Sequence, residues 1–407
     1  MAKGDTFHDT PFSYTDSYSG RTITQLTDYL GHSNHLYFTD PCWLRGQDSF
    51  IFTSDREGAS NLFSFDLATN TIRQLTDLTR DKDTRPAGCF SAANNCHYFW
   101  WGRQIIELNV ETLAERIVYE LPDDMEATDA RPGITADGRY ICTRIMKDEG
   151  ATGPNFAYAR FRELFAAKPF SQILRIEIAS GNTEVIHEDY CFITHENPSP
   201  TLPHIMTFCH EGPWDLVEQR IWGLNILTGE VWKLRDQTGA NIAIGHEYWL
   251  ANGTQIGYHG RLTDGHAADQ HASNHQSHHI YGYMNWDGSE RSEHYFPFAS
   301  THFCSLDASL IVGDGTAAAV FSQQGDAQPF IQLFNWNGRA FEEARVLAYH
   351  RSTFNDQHAH CHPRFTPDGK YIMYASDMSR YANIYLVEVG DLNDLPSLQD
   401  VPPPRHT

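Results

Sequence analysis

Apolar and polar side chains alternate in short runs along most of this chain, the period-two pattern of half-buried β-strands. The clearest run is Phe365-Thr-Pro-Asp-Gly-Lys-Tyr-Ile-Met-Tyr-Ala-Ser-Asp377, followed by Asn383-Ile-Tyr-Leu-Val-Glu-Val389. It reads as strand, Asp-Gly hairpin, strand, loop, strand. An earlier stretch copies it in Phe50-Ile-Phe-Thr-Ser-Asp55, Asn61-Leu-Phe-Ser-Phe-Asp-Leu67 and Thr71-Ile-Arg-Gln-Leu-Thr76. Between them come Ile134–Cys142 with Ile173–Ile178, then Ile221–Ile226 before Thr228-Gly229, with weaker copies around Asn94, Asn252 and Asp307. The hairpin turns fall near residues 46, 94, 137, 202, 252, 307 and 368, so the spacing is about 43–65 residues. That is the range of four-stranded propeller blades carrying occasional insertions. The pattern predicts an all-β, seven-bladed β-propeller in which residues 1–407 form a single domain. Helical periodicity is confined to Phe156–Ala167, expected as a short helix inserted in the third blade.

The two ends of the chain fit this count. The seventh unit stops after its third strand at Val389, and the tail from Asp394 turns proline-rich. Near the start, Thr22-Ile-Thr-Gln-Leu-Thr27 matches Thr71–Thr76, the fourth strand of the first unit. It is expected to complete the last blade and close the ring, which also removes an exposed sheet edge. Two separate β-sandwiches would leave this strand unexplained.

Charge and composition narrow the function classes. Lys and Arg number 30 against 52 Asp and Glu, a net charge of −22, which argues against phosphate-tracking nucleic-acid binding. A small anionic substrate stays open, because a local arginine or metal outweighs a global field. The N-terminus carries no apolar signal-peptide core and no stretch approaches 18 apolar residues, so neither export nor a membrane span is expected. The eight cysteines are scattered without a CxxC pair and read as buried free thiols in a reducing cytoplasm rather than a disulfide framework. Nothing in the sequence sets an oligomeric state.

Histidines recur at one place in the repeat. About six residues before each turn, where a blade's innermost strand begins, stand Asp40, Arg85, Arg131, His195, His246, His302 and His362. In a propeller these positions converge at one mouth of the central channel, where polar linings are ordinary. Three successive imidazoles are less ordinary. Around the last lies Asp356-Gln357-His358-Ala359-His360-Cys361-His362. On an extended strand His360 and His362 share a face, and with His302 they supply three nitrogen ligands to a divalent ion. Gln357 can add a carbonyl oxygen, leaving positions for a carboxylate or water. Alternation places Cys361 on the other face, and His358 is read as a bystander like it. The irregular cluster His266, His271, His275, His278 and His279 reads as a surface loop.

The run Phe208-Cys-His-Glu-Gly-Pro213, followed by Asp215-Leu-Val217, Arg220 and Trp222, resembles the oligogalacturonate lyases, polysaccharide lyase family twenty-two. His246-Glu-Tyr-Trp249, His302 before Asp307–Gly315, and Gln357–Pro363 agree with that family in order and spacing. The resemblance is strongest over residues 170–390. It implies a seven-bladed propeller, a cytoplasmic location, and a divalent cation, typically Mn²⁺, held by His302, His360, His362 and Gln357. It further implies that His246 is the catalytic base. The implied reaction is β-elimination on short oligogalacturonides such as digalacturonate, releasing an unsaturated uronate in pectin breakdown.

These residue types suit that chemistry. The C5 proton of a uronate is weakly acidic, and a divalent ion on the adjacent carboxylate stabilises the charge that develops when it leaves. Neutral imidazole is a base near its optimum at cytoplasmic pH. By alternation Glu247 points away from His246. Arg220 is a candidate for binding a second uronate carboxylate or steadying the oxyanion, its fork matching that geometry; an exposed strand arginine is the plainer reading. His210 and Glu211 line the pocket if the family-like run is functional, or simply shape a turn. His32 and His35, in Gly31–Thr39, and the histidine-rich insertion have no counterpart in the resemblance. They leave room for another uronic-acid oligomer, such as one from ulvan. A non-catalytic propeller scaffold is the reading from a different class.

Overall fold

A computed structural model describes residues 2–46, 48–79, 85–147, 158–262, 279–296, 300–318, 328–402 and 404. Among these residues the strands form seven antiparallel sheets of four or five strands each. The fold is the seven-bladed β-propeller that the repeat predicts. The chain divides into two compact units.

The first unit comprises Met1–Phe38, Cys42–Arg80 and His294–Thr407. One of its sheets runs Thr6–Phe7, Thr71–Gln74, Asn61–Asp66, Ser49–Ser54, Ser33–His35. A second runs Phe303–Ser305, Leu310–Gly313, Phe330–Asn335, Arg345–Tyr349, and a third Phe12–Thr15, Thr22–Gln25, Asn383–Glu388, Tyr371–Ser376, Arg364–Phe365. The early strand completes the last blade as expected, with Ile23 opposite Val387 and Gln25 opposite Tyr385. The repeat extends to individual hydrogen bonds. Gln25 Nε2 donates to Thr27 O at 2.8 Å, and Gln74 Nε2 to Thr76 O at 2.7 Å. The Thr27 hydroxyl bonds the Asn383 side chain at 2.9 Å, and that of Thr76 bonds Asn61 at 2.8 Å. The core of this unit packs Ile23, Val312, Leu333, Leu347, Ile372, Tyr374 and Val387, all almost fully buried.

Two short strands at the N-terminus escaped the sequence reading. Phe12–Thr15 adds a fifth strand beyond Thr22–Gln25, and Thr6–Phe7 pairs with Ile72 and Arg73. They are short, largely exposed and without an apolar repeat, so alternation could not reveal them. Arg56 holds this segment by stacking on Phe7 and Tyr29 and pairing with Asp9.

The second unit, Thr39–Pro41 with Asp81–Glu293, holds sheets built on Cys96–Trp101, Tyr140–Lys147, Ile205–His210 and Gln255–Leu262. Its apolar layers lie between successive sheets: Tyr98, Trp100 and Ile105 with Ile141, Leu174 and Ile176, then Cys142 and Ile173 with Ile193, Met206 and Phe208. A third layer packs Ile221 and Leu234 against Ile242, Ile244, Ile256 and Tyr258. The Asp-Gly turns use one design in both units. Thr135 Oγ1 donates to Asp137 Oδ1 and Thr366 Oγ1 to Asp368 Oδ1, each at 2.7 Å, with Gly138 and Gly369 at φ of 70° and 72°. Only glycine takes that backbone conformation without steric cost. The expected helix spans Tyr158–Ala167, where Leu164 packs on Met146 and Phe192. Residues 156–157 and the histidines at 266, 271, 275 and 278 lie outside the described residues, and His279 opens the strand His279–Asn285. All eight cysteines are free thiols. No helix among the described residues is long and apolar enough to cross a membrane.

Candidate functional site

Three imidazoles converge in the first unit. His302 immediately precedes the strand Phe303–Ser305, His360 ends the 3₁₀ turn Gln357–Ala359, and His362 stands two residues before Arg364–Phe365. All three are buried, and one potential ligand nitrogen from each lies within 4.8 Å of the others. Ring centroids are 4.2 Å apart for His302–His362, 5.3 Å for His302–His360 and 5.6 Å for His360–His362.

The pairing of His360 with His362 does not arise from a regular strand, contrary to expectation. Asp356 caps the 3₁₀ turn by accepting from the backbone N–H groups of His358 and Ala359. His360 is extended, and His362 sits at φ 44°, a conformation that costs a non-glycine residue about 1–3 kcal/mol. The turn and the kink together aim the two rings. Gln357 begins the turn and is exposed. Cys361 faces the apolar core, and the His358 carbonyl accepts from Asn34 Nδ2 at 2.7 Å.

Asp314 fixes His302. Its Oδ2 lies 2.7 Å from His302 Nδ1, while Oδ1 accepts the backbone N–H groups of Thr301 and His302 at 2.9 Å each. A carboxylate on Nδ1 sets the tautomer that leaves Nε2 as a lone-pair donor. Sequence reasoning quoted the Gly313-Asp-Gly315 run without assigning Asp314 a task. At the adjacent Gly315, φ 63°, an added Cβ would meet the Gln328 carbonyl at 2.1 Å. Tyr37 and Phe38 also went unnoticed. Their rings flank His362 at 4.9 and 6.2 Å, and Phe354 stacks on His360 at 4.8 Å.

These residues fit a divalent cation. Burial, reinforced by neighbouring His302, lowers the pKa of His360 to about 4, so its ring is in the neutral, ligand-competent form. His360 Nδ1 is buried with no hydrogen-bond partner among the described residues, an expense that coordination would remove. His35 does not join the set. Its Nδ1 lies 2.7 Å from Leu36 O and its Nε2 3.3 Å from Cys361 O, tying down the backbone between the two histidines. His32 Nδ1 accepts the backbone N–H of Ala382.

The second unit builds a different cluster. His246 was expected to begin an inner strand, but Ile242–Trp249 starts four residues earlier, and its pairing register shifts between Ile244 and Glu247. That bulge breaks the alternation from which Glu247 was read as pointing away. Glu247 is fully buried beside His195, with Oε1 2.8 Å from His195 Nδ1 and Oε2 accepting Arg220 Nε at 3.0 Å. His195 lies on an equally irregular strand, shifted between Thr194 and Asn197, and has φ 56°. Its ring stacks on that of His246, centroids 5.6 Å apart and 14° from parallel. Trp214 meets both His246 and His259 edge-on, and His246 N donates to His259 Nε2 at 3.0 Å. Gly245 makes room, since a Cβ there would fall 2.4 Å from the His259 ring.

Arg220 is fully buried rather than an exposed strand arginine. Its remaining nitrogens reach both oxygens of Glu211 at 2.7 and 3.3 Å. The guanidinium fork is thus engaged by protein carboxylates. Burial alone would raise the pKa of Glu247, but Arg220 and His195 pull it down to about 2; Glu211 is lowered in the same way. His210 does not join this network. It packs on Trp222 at 4.9 Å and lies 3.6 Å from Asp189, and burial lowers its pKa to about 4. Of the other blade-entry positions, Asp40 and Arg131 pair at 3.4 Å.

The sequence profile described as oligogalacturonate lyase matches residues 1–392. The chain belongs to the oligogalacturonate lyase family. Within that family it is 26% identical over 405 residues to the oligogalacturonide lyase of Pectobacterium atrosepticum and equally to the oligogalacturonate lyase of Dickeya dadantii, covering 96% of this chain and 99% of each relative. A solved oligogalacturonate lyase in complex with manganese superposes with a TM-score of 0.81 at 24% identity, over 97% of this chain and 99% of that one. The oligogalacturonate lyase of Vibrio parahaemolyticus gives 0.82 at 23% identity, over 96% and 99%. At those identities the solved structures speak for the fold. Membership in the family makes the chain a lyase.

Proposed function

We propose that this protein is a divalent-metal-dependent lyase that cleaves short oligogalacturonides by β-elimination, with Mn²⁺ as the resident ion. The observation that carries the reading is the convergence of three buried imidazoles, one of them oriented by Asp314. His302, His360, His362 and Gln357 would hold the ion. Bound there, the ion supplies Lewis acidity toward the uronate carboxylate.

The chain's own residues do the rest. His246, as neutral imidazole, takes the C5 proton; the C5–H electrons form the C4–C5 double bond as the C4–O4 bond breaks toward oxygen, and the departing O4 takes a proton from water. The products are an oligomer one residue shorter, or a monouronate, and a 4,5-unsaturated uronate. Arg220 acts from behind this base, holding Glu211 and Glu247 in place, and direct contact of its guanidinium with substrate finds no support in its burial. His210 is retained as a sugar contact only outside the Glu247 network. Eight free thiols support a cytoplasmic location.

The test is an ultraviolet assay for the unsaturated uronate on digalacturonate and a panel of other uronic-acid oligomers. Turnover on digalacturonate, abolished by a chelator and restored by Mn²⁺, is the expected result. His246→Ala is expected to abolish turnover with metal content intact. Turnover on another uronate alone would reassign the substrate, and loss of metal in His246→Ala would make that residue a ligand.

A further inference from the structure

The buried cluster beside His246 has an unbalanced charge. Glu211 and Glu247 are both carboxylates and Arg220 is their shared cation, so the three sum to one negative charge. Cys209, against the same cluster, is held as a neutral thiol by burial. The neighbouring Glu196 has its own buried cation, Arg144, at 3.6 Å. Among the described residues, one group in contact with the excess charge can cancel it: His195, with Nδ1 2.8 Å from Glu247 Oε1. A carboxylate that deep in the protein favours a charged partner over a neutral one.

His195 is also the ring that stacks on His246. Among the described residues, two further rings stand against His246. Trp214 is uncharged, and His259 accepts the His246 backbone N–H through Nε2, which requires its neutral form. Two positive imidazoles 5.6 Å apart and largely buried repel each other strongly. We propose that Glu247 holds His195 as an imidazolium, and that this charge stacked on His246 keeps the His246 ring neutral and able to accept a proton well below neutral pH. His195 is then a positioning residue acting through His246, and Glu247 sets its charge. The inference rests on the reading of His246 as the base.

The test follows histidine ring protons by nuclear magnetic resonance and the pH profile of kcat/KM, in the full chain. His195→Gln keeps a hydrogen-bond donor for Glu247 and removes the charge. The acidic limb of kcat/KM is expected to move up by about one pH unit, a tenfold loss of activity on that limb, with the His246 signal moving alongside. An unmoved limb and an unmoved His246 signal overturn the proposal. In the unsubstituted protein, expected to serve where the variant does not fold, the His195 ring should still be protonated at a pH where His246 is neutral. The opposite order overturns the proposal. An active His246→Ala would instead defeat the base assignment, and the coupling of the two rings would still be read from the resonances.

Discussion

The two histidine clusters use the same side chain in opposite ways. In the first unit, His302, His360 and His362 face one another around a single carboxylate, Asp314, already committed to His302. One of their buried nitrogens, His360 Nδ1, makes no hydrogen bond of good geometry among the described residues. In the second unit, His195 and His246 lie against a network in which Arg220 and two glutamates answer one another. The first arrangement gathers ligand atoms close to one another, and the second carries its own cation in Arg220. A ligand site and a tuning network are therefore told apart by the charged partners the protein itself supplies, since histidines are abundant in both.

Breaking the first cluster should have the largest effect. His360→Ala is expected to remove bound Mn²⁺ and lower turnover roughly a thousandfold, with far-ultraviolet circular dichroism unchanged. Metal retained at full stoichiometry would remove His360 from the ligand set. Breaking the second cluster should be felt in stability first. Arg220→Met leaves two buried carboxylates without their cation and is expected to cost about 3–5 kcal/mol in urea unfolding. A loss below about 1 kcal/mol would mean the network is far less coupled than its geometry indicates.

Asp314→Asn sharpens the comparison, because it keeps the shape around His302 and withdraws the charge. Affinity for Mn²⁺, measured by titration calorimetry, should fall about 10–100-fold. The buried histidines also make stability depend on pH. Burial lowers both His35 and His350 to about 4. In the unfolded chain they titrate near 6.5, so their contribution is fully present above that pH and is lost as pH falls from about 6.5 through about 4. Urea midpoints should decline across that window, and His350→Gln should flatten the decline; an unchanged slope would assign the protons elsewhere. The smallest effect concerns the paired strands of the repeat. Thr27→Val removes the hydroxyl that bonds Asn383 and should cost about 1 kcal/mol. A similar cost for Thr76→Val is expected from its matching bond to Asn61.

The sequence carried the blade count and the N-terminal strand because both follow from repetition: Thr22–Thr27 and Thr71–Thr76 share side chains and, in the structure, share hydrogen bonds. It also singled out the three histidines that meet. What failed was strict alternation. At Gly245-His246 a bulge interrupts the strand beside Glu247, and at His360–His362 an irregular segment after a 3₁₀ turn stands where an extended strand was expected. Period-two reasoning assumes an unbroken pleat, and both breaks fall beside the residues with the most chemistry. Arg220 was misplaced for a related reason. An arginine entering a strand reads as exposed unless its carboxylates are found, and Glu211 and Glu247 stand 9 and 27 positions away.

The pairing of Ile23 with Val387 has a consequence for biosynthesis. A ribosome releases Thr22–Gln25 long before Asn383–Glu388, so this blade cannot assemble until the later strand has emerged. Until then the early strand presents unsatisfied backbone to the crowded cell, where intermolecular pairing competes. Contacts of such long sequence separation also form slowly. Closure of this blade is therefore gated by synthesis of Asn383–Glu388, and the nascent form that lacks it is the state most exposed to chaperones.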